Sequence, residues 1–511
     1  MKTAHPIYGS DFILQITTKG EKNMSKLLKR SLVVLLALVM VLSVVACTGN
    51  QNPVDTTAGE TPDTTDAPTE EPTTAPEDVV DAHTYDFYIT LGTMPTLYAT
   101  LNAYARQNPN TYMWFLRGNT ISREYSADFI HYFDTQSQTN AESAIDWALI
   151  RNKVKEIKEN DPEAKFHLYC DDLRVSFIPH IFVYAGVDFE DLRVTFLSDG
   201  TGTYDIYAKQ TDAAYAGYAD TWNSILDTYK NGRNNADFVP PYEDTAKSMQ
   251  QLQSLAFYVS TFDNVDFWVQ SPDYLINSGA AVTAARAEMN IIGKNPSEMY
   301  ANLPDAIRAD YQKVVLANAL VDSETLKTLD DAVAYFDSKL SGRDKELVLI
   351  LGTNKKTLDE NKFYIDETLK FYTPTVSAED ATKVTYKGKT YDITAGAATV
   401  TVDGKELKIG ELGVYLFFKG HPAHPADETL QGYFAQYGIE ILPHRTPVET
   451  LFWMYDVKVG GYQSTSFLSC YKGQTEFMYE APTTEAIVQM MDAGFFEGVA
   501  IFTAPTTEPA A

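Results

Sequence analysis

The chain has 511 residues, with 41 Lys and Arg against 69 Asp and Glu, a net charge of −28 at neutral pH. Such an acidic excess argues against nucleic acid as a partner and for a well-solvated surface. Three cysteines in this length exclude a disulfide framework, and no CxxC or HExxH occurs, so neither a structural nor a catalytic zinc site is expected.

Residues 1–23 lack the character of a targeting segment, and Met24 reads as the true initiator. Residues 24–47 read as a bacterial lipoprotein signal. Lys26, Lys29 and Arg30 form a basic start, Ser31 to Val45 is apolar, and Ala46-Cys47 closes the stretch. The apolar run is shorter than the ~20 residues a spanning helix needs. Cys47 would carry lipid, tether the protein to the cell membrane and leave the folded part on the extracytoplasmic side. Residues 48–83 form a Thr/Pro/acidic linker. From Gln51 to Val80 there is no Lys, Arg or aromatic residue, so the segment cannot bury enough apolar surface to fold.

Beyond the linker lie about 420 residues, too many for one core. Apolar runs with strand character begin at Tyr85–Ile89 and recur at Thr111–Leu116, Lys165–Tyr169 and Leu192–Leu197, with helical patterns at Asn140–Glu159 and Val175–Ala185. Residues from Asp212 to Lys339 are mostly helical in pattern. Strands resume at Glu346–Leu351, Gly413–Phe418, Gly438–Leu442 and Tyr455–Val459. The alternation predicts an α/β protein of two lobes, each a parallel sheet wrapped by helices. The expected organisation is an N-terminal lobe over 84–340, a C-terminal lobe over 341–482, a helix over 483–500 and a disordered tail over 501–511. Within the second lobe, 373–407 reads as a β-hairpin insertion, with Asp403-Gly404 as a hairpin turn.

Chemistry is expected at the C-terminal ends of these strands, where open α/β sheets bind ligands. Lys419-Gly420-His421-Pro422 closes one apolar run. Gly admits a ligand close to the backbone, and His donates to a phosphate or gives up a proton near neutral pH. Gly352-Thr353-Asn354 closes another. Gly460-Gly461-Tyr462-Gln463-Ser464-Thr465-Ser466 follows a third and offers paired glycines and hydroxyls as donors to a phosphate. In the first lobe, Cys170-Asp171-Asp172 and Ser198-Asp199-Gly200-Thr201 bring acids to strand ends. There an Asp can deprotonate a hydroxyl, or more simply cap a turn. No Gly-x4-Gly-Lys-Thr and no Gly-x-Gly-x-x-Gly is present, which argues against nucleoside triphosphate hydrolysis and dinucleotide binding. Cys170 and Cys470 read as small buried side chains.

In order along the chain, Met94-Pro95-Thr96-Leu97, Ser198-Asp199-Gly200-Thr201, Gly352-Thr353-Asn354, Phe418-Lys419-Gly420-His421-Pro422 and Pro443 to Thr465 resemble the motifs of the bacterial sialyltransferases of glycosyltransferase family 80. The resemblance spans most of Tyr85 to Ser469. It implies a GT-B fold of two Rossmann-like lobes facing a cleft, and inverting transfer of sialic acid from CMP-sialic acid to a galactoside with no required metal or other cofactor. It further implies a donor site in which His421 contacts the phosphate as acid or electrostatic stabiliser. Ser464 and Thr465 would bind the same phosphate, Glu449 would hold the ribose hydroxyls, and Gly352 and Thr353 would lie against the cytidine. Lys419, Gly420 and Pro422 complete that motif. The partners implied are a nucleotide sugar and a glycan acceptor.

The chain departs from the family at Ser198, which stands where the general base is an acid. A serine does not take a proton at neutral pH, so Asp199 is expected in its place, or Asp171 or Asp172 reaching in from the neighbouring strand end. The alternative is a surface lipoprotein that binds a CMP-sugar or glycan without turning it over.

Overall fold

The computed structural model describes residues 80–115, 120–133, 147–172, 178–208, 216–235, 238, 255–270, 289–323 and 325–505. The signal, Cys47 and nearly all of the linker lie outside these residues.

Seven strands build the first sheet: β1 (Thr84–Thr90), β2 (Thr111–Phe115), β3 (Ile130–Tyr132), β4 (Lys165–Asp171), β5 (Leu192–Leu197), β6 (Val265–Val269) and β7 (Ile291–Gly293). All pair in parallel, in the order β3-β2-β1-β4-β5-β6-β7. β1 and β5 are buried along nearly their whole length rather than on alternate residues, as in a sheet covered on both faces. β3, β6 and β7 escape the sequence reading. β3 and β7 are three residues long, and β6, Val-Asp-Phe-Trp-Val, lies in the stretch expected to be helical.

The second lobe contains β8 (Glu346–Leu351), β9 (Thr375–Val376), β10 (Lys383–Tyr386), β11 (Lys389–Asp392), β12 (Thr399–Val402), β13 (Lys405–Lys408), β14 (Val414–Lys419), β15 (Glu440–Ile441), β16 (Lys458–Tyr462), β17 (Thr475–Tyr479) and β18 (Ala500–Phe502). Its main sheet runs β15-β14-β8-β16-β17-β18, again all parallel. Relative to its own first strand, each sheet has the 3-2-1-4-5-6 order of a doubly wound fold, with switch points at β1/β4 and β8/β16. β8 is buried on both faces and joins two cores. Leu347, Leu349 and Leu351 enter the core that includes the first lobe, and Val348 and Ile350 pack with Ile365, Leu430 and Phe434 on the other side.

The insertion forms small antiparallel ladders, β9-β10-β11 and β12-β13. Both of its tight turns carry two left-handed residues, Lys387-Gly388 (φ 50° and 69°) and Asp403-Gly404 (φ 49° and 78°), the geometry that matches strand twist.

Three expectations are corrected. The helix expected over 483–500 is confined to Glu485–Asp492, and Ala500–Phe502 is an edge strand beside β17 rather than helix end and tail. The strand expected at Tyr455–Val459 begins three residues later, because Tyr455 and Asp456 follow directly on the helix Val448–Met454. Gly460 and Gly461 therefore lie inside β16, not in a phosphate loop. A Cβ on Gly460 would come 2.3 Å from the Phe477 ring, and one on Gly461 (φ 118°) 2.5 Å from the Leu351 carbonyl oxygen. The pair is there to let strands approach.

Candidate active site

In the second lobe, β14 delivers Lys419 into the interior, 3% exposed. Its Nζ donates to the carbonyls of Gly420 (2.8 Å) and His444 (2.7 Å), joining the loops after β14 and β15. Burial lowers its pKa to about 8, although Glu449 and Asp322 pull the other way. His421 follows on the exposed rim. Its Nδ1 accepts the Ala423 N–H at 3.1 Å, which leaves the ring proton of the neutral form on Nε2. The ring stacks on His424 with centroids 5.1 Å apart. Gly352 donates its N–H to the Lys419 carbonyl (2.9 Å), and a Cβ there would meet the Phe418 ring at 2.7 Å. Only glycine lets β8 leave its sheet so close to β14.

Glu449 sits in the first turn of the helix Val448–Met454 and is buried. Ser466 donates to its Oε1 at 2.6 Å, and the Ser464 hydroxyl caps the turn by accepting the Ser466 N–H at 3.3 Å. Ser464 to Ser466 thus form one tight turn after β16, with Ser466 fixing Glu449.

The first lobe contributes the ends of β1, β4 and β5. Asp171 accepts the backbone N–H groups of Leu91 (3.1 Å) and Gly92 (2.8 Å), fastening the turn into the helix Thr93–Arg106. Asp172 is fully buried; it accepts the Thr203 hydroxyl at 2.7 Å and the Asp199 N–H at 3.2 Å. Burial, reinforced by Asp199 and Asp171, raises its pKa well above the usual carboxylate range, so its neutral form is favoured. Ser198 is also fully buried. Its hydroxyl lies 3.0 Å from Thr203 Oγ1 and accepts the Gly200 N–H at 3.1 Å. Ser198 and Asp172 are therefore the inner struts of the turn that presents Asp199. That carboxylate lies over Gly92, where a Cβ would meet Asp199 Oδ1 at 2.0 Å.

These ends converge on one cavity of about 410 Å³ between the two switch points. Of the expected residues, Asp199, Gly352, Lys419, Gly420, His421, Pro422, Glu449, Ser464 and Thr465 line it. Three do not. Asp171 is turned to the Leu91 and Gly92 N–H groups, Asp172 is sealed beneath the Asp199 turn, and Thr353 accepts the Lys355 N–H (3.1 Å) in a turn of its own. Thr93, Thr120 and Arg445 line the cavity without having been singled out in the sequence. Arg445 lies four residues past a two-residue strand, too short to mark a strand end. The walls touch across the cavity, with Thr201 Oγ1 3.1 Å from Thr465 Oγ1. Among the described residues, no three or more His, Cys, Asp or Glu group as a metal site.

Two doubly wound sheets whose switch points face one cleft define the GT-B class of glycosyltransferases. No family model and no curated protein matches the chain. Solved structures do, bacterial sialyltransferases among them. The sialyltransferase of Photobacterium damsela aligns over 83% of this chain and 82% of its own at 13% identity, with a TM-score of 0.54. The 2,6-sialyltransferase of Photobacterium sp. JT-ISH-224, solved with donor product CMP and acceptor substrate lactose, aligns over 82% of this chain and 78% of its own at 12% identity and 0.51. The GT-B domain of the Photobacterium damselae enzyme is covered completely, with 82% of this chain, at 13% identity and 0.51. The chain thus has the GT-B fold of the bacterial sialyltransferases.

Proposed function

We propose that the protein is an inverting sialyltransferase that moves sialic acid from CMP-sialic acid to a galactoside-type acceptor. One observation carries this reading: Asp199 from the first lobe lines the same cavity as His421, Glu449, Ser464 and Thr465 from the second. An acid on one wall and a phosphate-type donor set on the other is what a displacement at a sugar carbon needs. In the proposed step the acceptor hydroxyl oxygen bonds to the anomeric carbon and its proton passes to Asp199. The bond from that carbon to the phosphate oxygen breaks, and its electron pair leaves on CMP. His421 Nε2–H and the hydroxyls of Ser464 and Thr465 stabilise the leaving phosphate. Glu449, oriented by Ser466, takes the ribose hydroxyls. The cytidine-side role read for Thr353 is not retained, because that residue lies outside the cavity.

The test is incubation of the protein with CMP-sialic acid, with and without lactose. Release of CMP with formation of sialyl-lactose supports the transferase. Thermal stabilisation by CMP without product would assign a binding protein instead. We further propose that Cys47 carries lipid and holds the protein at the outer face of the cell membrane. Incorporation of labelled palmitate that is lost in Cys47→Ala tests this.

A further inference from the structure

The donor in the reading above brings two acidic groups, a phosphodiester and a carboxylate, into a cavity that already holds Asp199 and Glu449. Cations are needed to receive them. Three basic side chains line the cavity. The Lys419 ammonium is buried and committed to two carbonyls, and His421 is held with Nδ1 accepting from the backbone. Arg445 is the third. Its Nε lies 3.2 Å from Asp322 Oδ1 and its backbone N–H donates to Asp322 Oδ2 at 2.7 Å. It makes no other hydrogen bond or ion pair among the described residues, and its side chain is 44% exposed. The guanidinium is thus tethered at Nε while its terminal nitrogens remain available.

The fixing group comes from the other lobe. Asp322 ends the helix Ala319–Asp322 of the first lobe, and its carboxylate is only 5% exposed. It also meets His444 Nδ1 at 3.2 Å, and His444 in turn receives Lys419 through its carbonyl. One buried carboxylate thereby orders the loop after β15 that carries Arg445. A guanidinium tethered at Nε by a carboxylate keeps its two terminal nitrogens free to fork onto a planar or tetrahedral oxyanion.

We propose that Arg445 is a specificity-determining contact for an anionic group of the donor, and that Asp322 is the positioning residue that aims it across the lobe boundary. The inference rests on the CMP-sugar reading of the cavity and adds to it a requirement for an acidic donor.

The experiment is calorimetric titration of the full-length protein with cytidine, CMP and CMP-sialic acid. It compares the wild type with Arg445→Gln, Arg445→Lys, Asp322→Asn and the Asp322→Asn/Arg445→Gln double variant. Arg445→Gln is expected to weaken CMP-sialic acid about 10- to 100-fold, the scale of a charge-assisted hydrogen bond, and to leave cytidine unchanged. Arg445→Lys should recover part of the loss. An equal loss for CMP assigns the phosphate; a loss confined to CMP-sialic acid assigns the carboxylate. Asp322→Asn should weaken the same ligand, yet add nothing in the double variant. Unchanged affinity in Arg445→Gln overturns the contact while leaving the donor reading intact. An additive loss in the double variant overturns the positioning role. A wild-type protein that binds neither CMP nor CMP-sialic acid overturns the donor reading and this inference together.

Discussion

Gly200 and Thr465 meet across the cavity: a Cβ on Gly200 would lie 2.0 Å from the Thr465 γ-methyl. Gly200 has φ 86°, a conformation that a side chain disfavours, and its neighbour Thr201 reaches the Thr465 hydroxyl. The two turns that carry the proposed base and the proposed phosphate donors are thus in direct contact. Gly200→Ala must push Thr465 away or splay the lobes. We expect it to lower kcat/KM at least about tenfold, from a misplacement of an ångström or more. Steady-state kinetics with CMP-sialic acid and lactose check this.

The candidate bases Asp199 and Asp172 separate cleanly. Asp199→Asn should lower kcat about 10²- to 10⁴-fold, the usual contribution of a general base. Asp172→Asn should keep activity, because its amide oxygen still accepts the Asp199 N–H and its NH2 can donate to Thr203 Oγ1 once that hydroxyl rotates. Its stability has a distinct pH signature. The folded-state pKa of Asp172 is raised, so its favourable contribution is full below the unfolded value and is lost as pH rises through the folded one. Relative to wild type, Asp172→Asn should therefore gain in melting temperature as pH rises from 4. A flat difference would rule out the raised pKa.

Ser466 is predicted to act through Glu449. Removing its hydroxyl in Ser466→Ala leaves the buried Glu449 carboxylate without the 2.6 Å donor that aims it. If Glu449 takes the ribose hydroxyls, the variant should lose most of the wild type's preference for CMP over deoxy-CMP, by about five- to tenfold. Competitive binding of the two nucleotides measures it.

Lys419 has a folded pKa of about 8, below its unfolded value. Between these two pH values the unfolded chain holds the extra proton, so stability due to Lys419 rises with pH. The stability of wild type relative to Lys419→Met should therefore rise with pH between about 8 and the unfolded value, and level off outside that window. Denaturant melts at pH 7, 8.5 and 9.5 read this slope, and a constant difference would contradict it.

Gly461→Ala should be strongly destabilising, by about 3 kcal/mol, since it combines a strained φ with a clash against the Leu351 backbone. Thermal denaturation tests it, and a variant within about 0.5 kcal/mol of wild type would contradict the close approach of β16 and β8.

Much of the architecture was legible because parallel strands covered on both faces are short segments rich in aliphatic, aromatic and β-branched residues. Leu192–Leu197 and Glu346–Leu351 have in the structure the bounds they have in the sequence. The turn at Asp403-Gly404 was legible because few other residue pairs tolerate two left-handed conformations. The three-residue strands β3, β7 and β18 were not, since so short a segment carries no periodicity and is held by its neighbours.

By itself the sequence determined which strand ends carry donors and acids. Those residue types sit at apolar-run boundaries, and local chemistry marks them. Only the tertiary structure decided which of them face the cleft. Asp171, Asp172 and Asp199 are equivalent as text, yet two are turned inward to hold backbone N–H groups and one is turned out. Gly460-Gly461 reads as a loop and is a strand, because what requires glycine there is the neighbouring strands, Leu351 of β8 and Phe477 of β17, far apart in the chain. Arg445 gains its place from Asp322, more than a hundred residues earlier. Such contacts are set by the register of two sheets and the distance between two lobes, which no local pattern encodes.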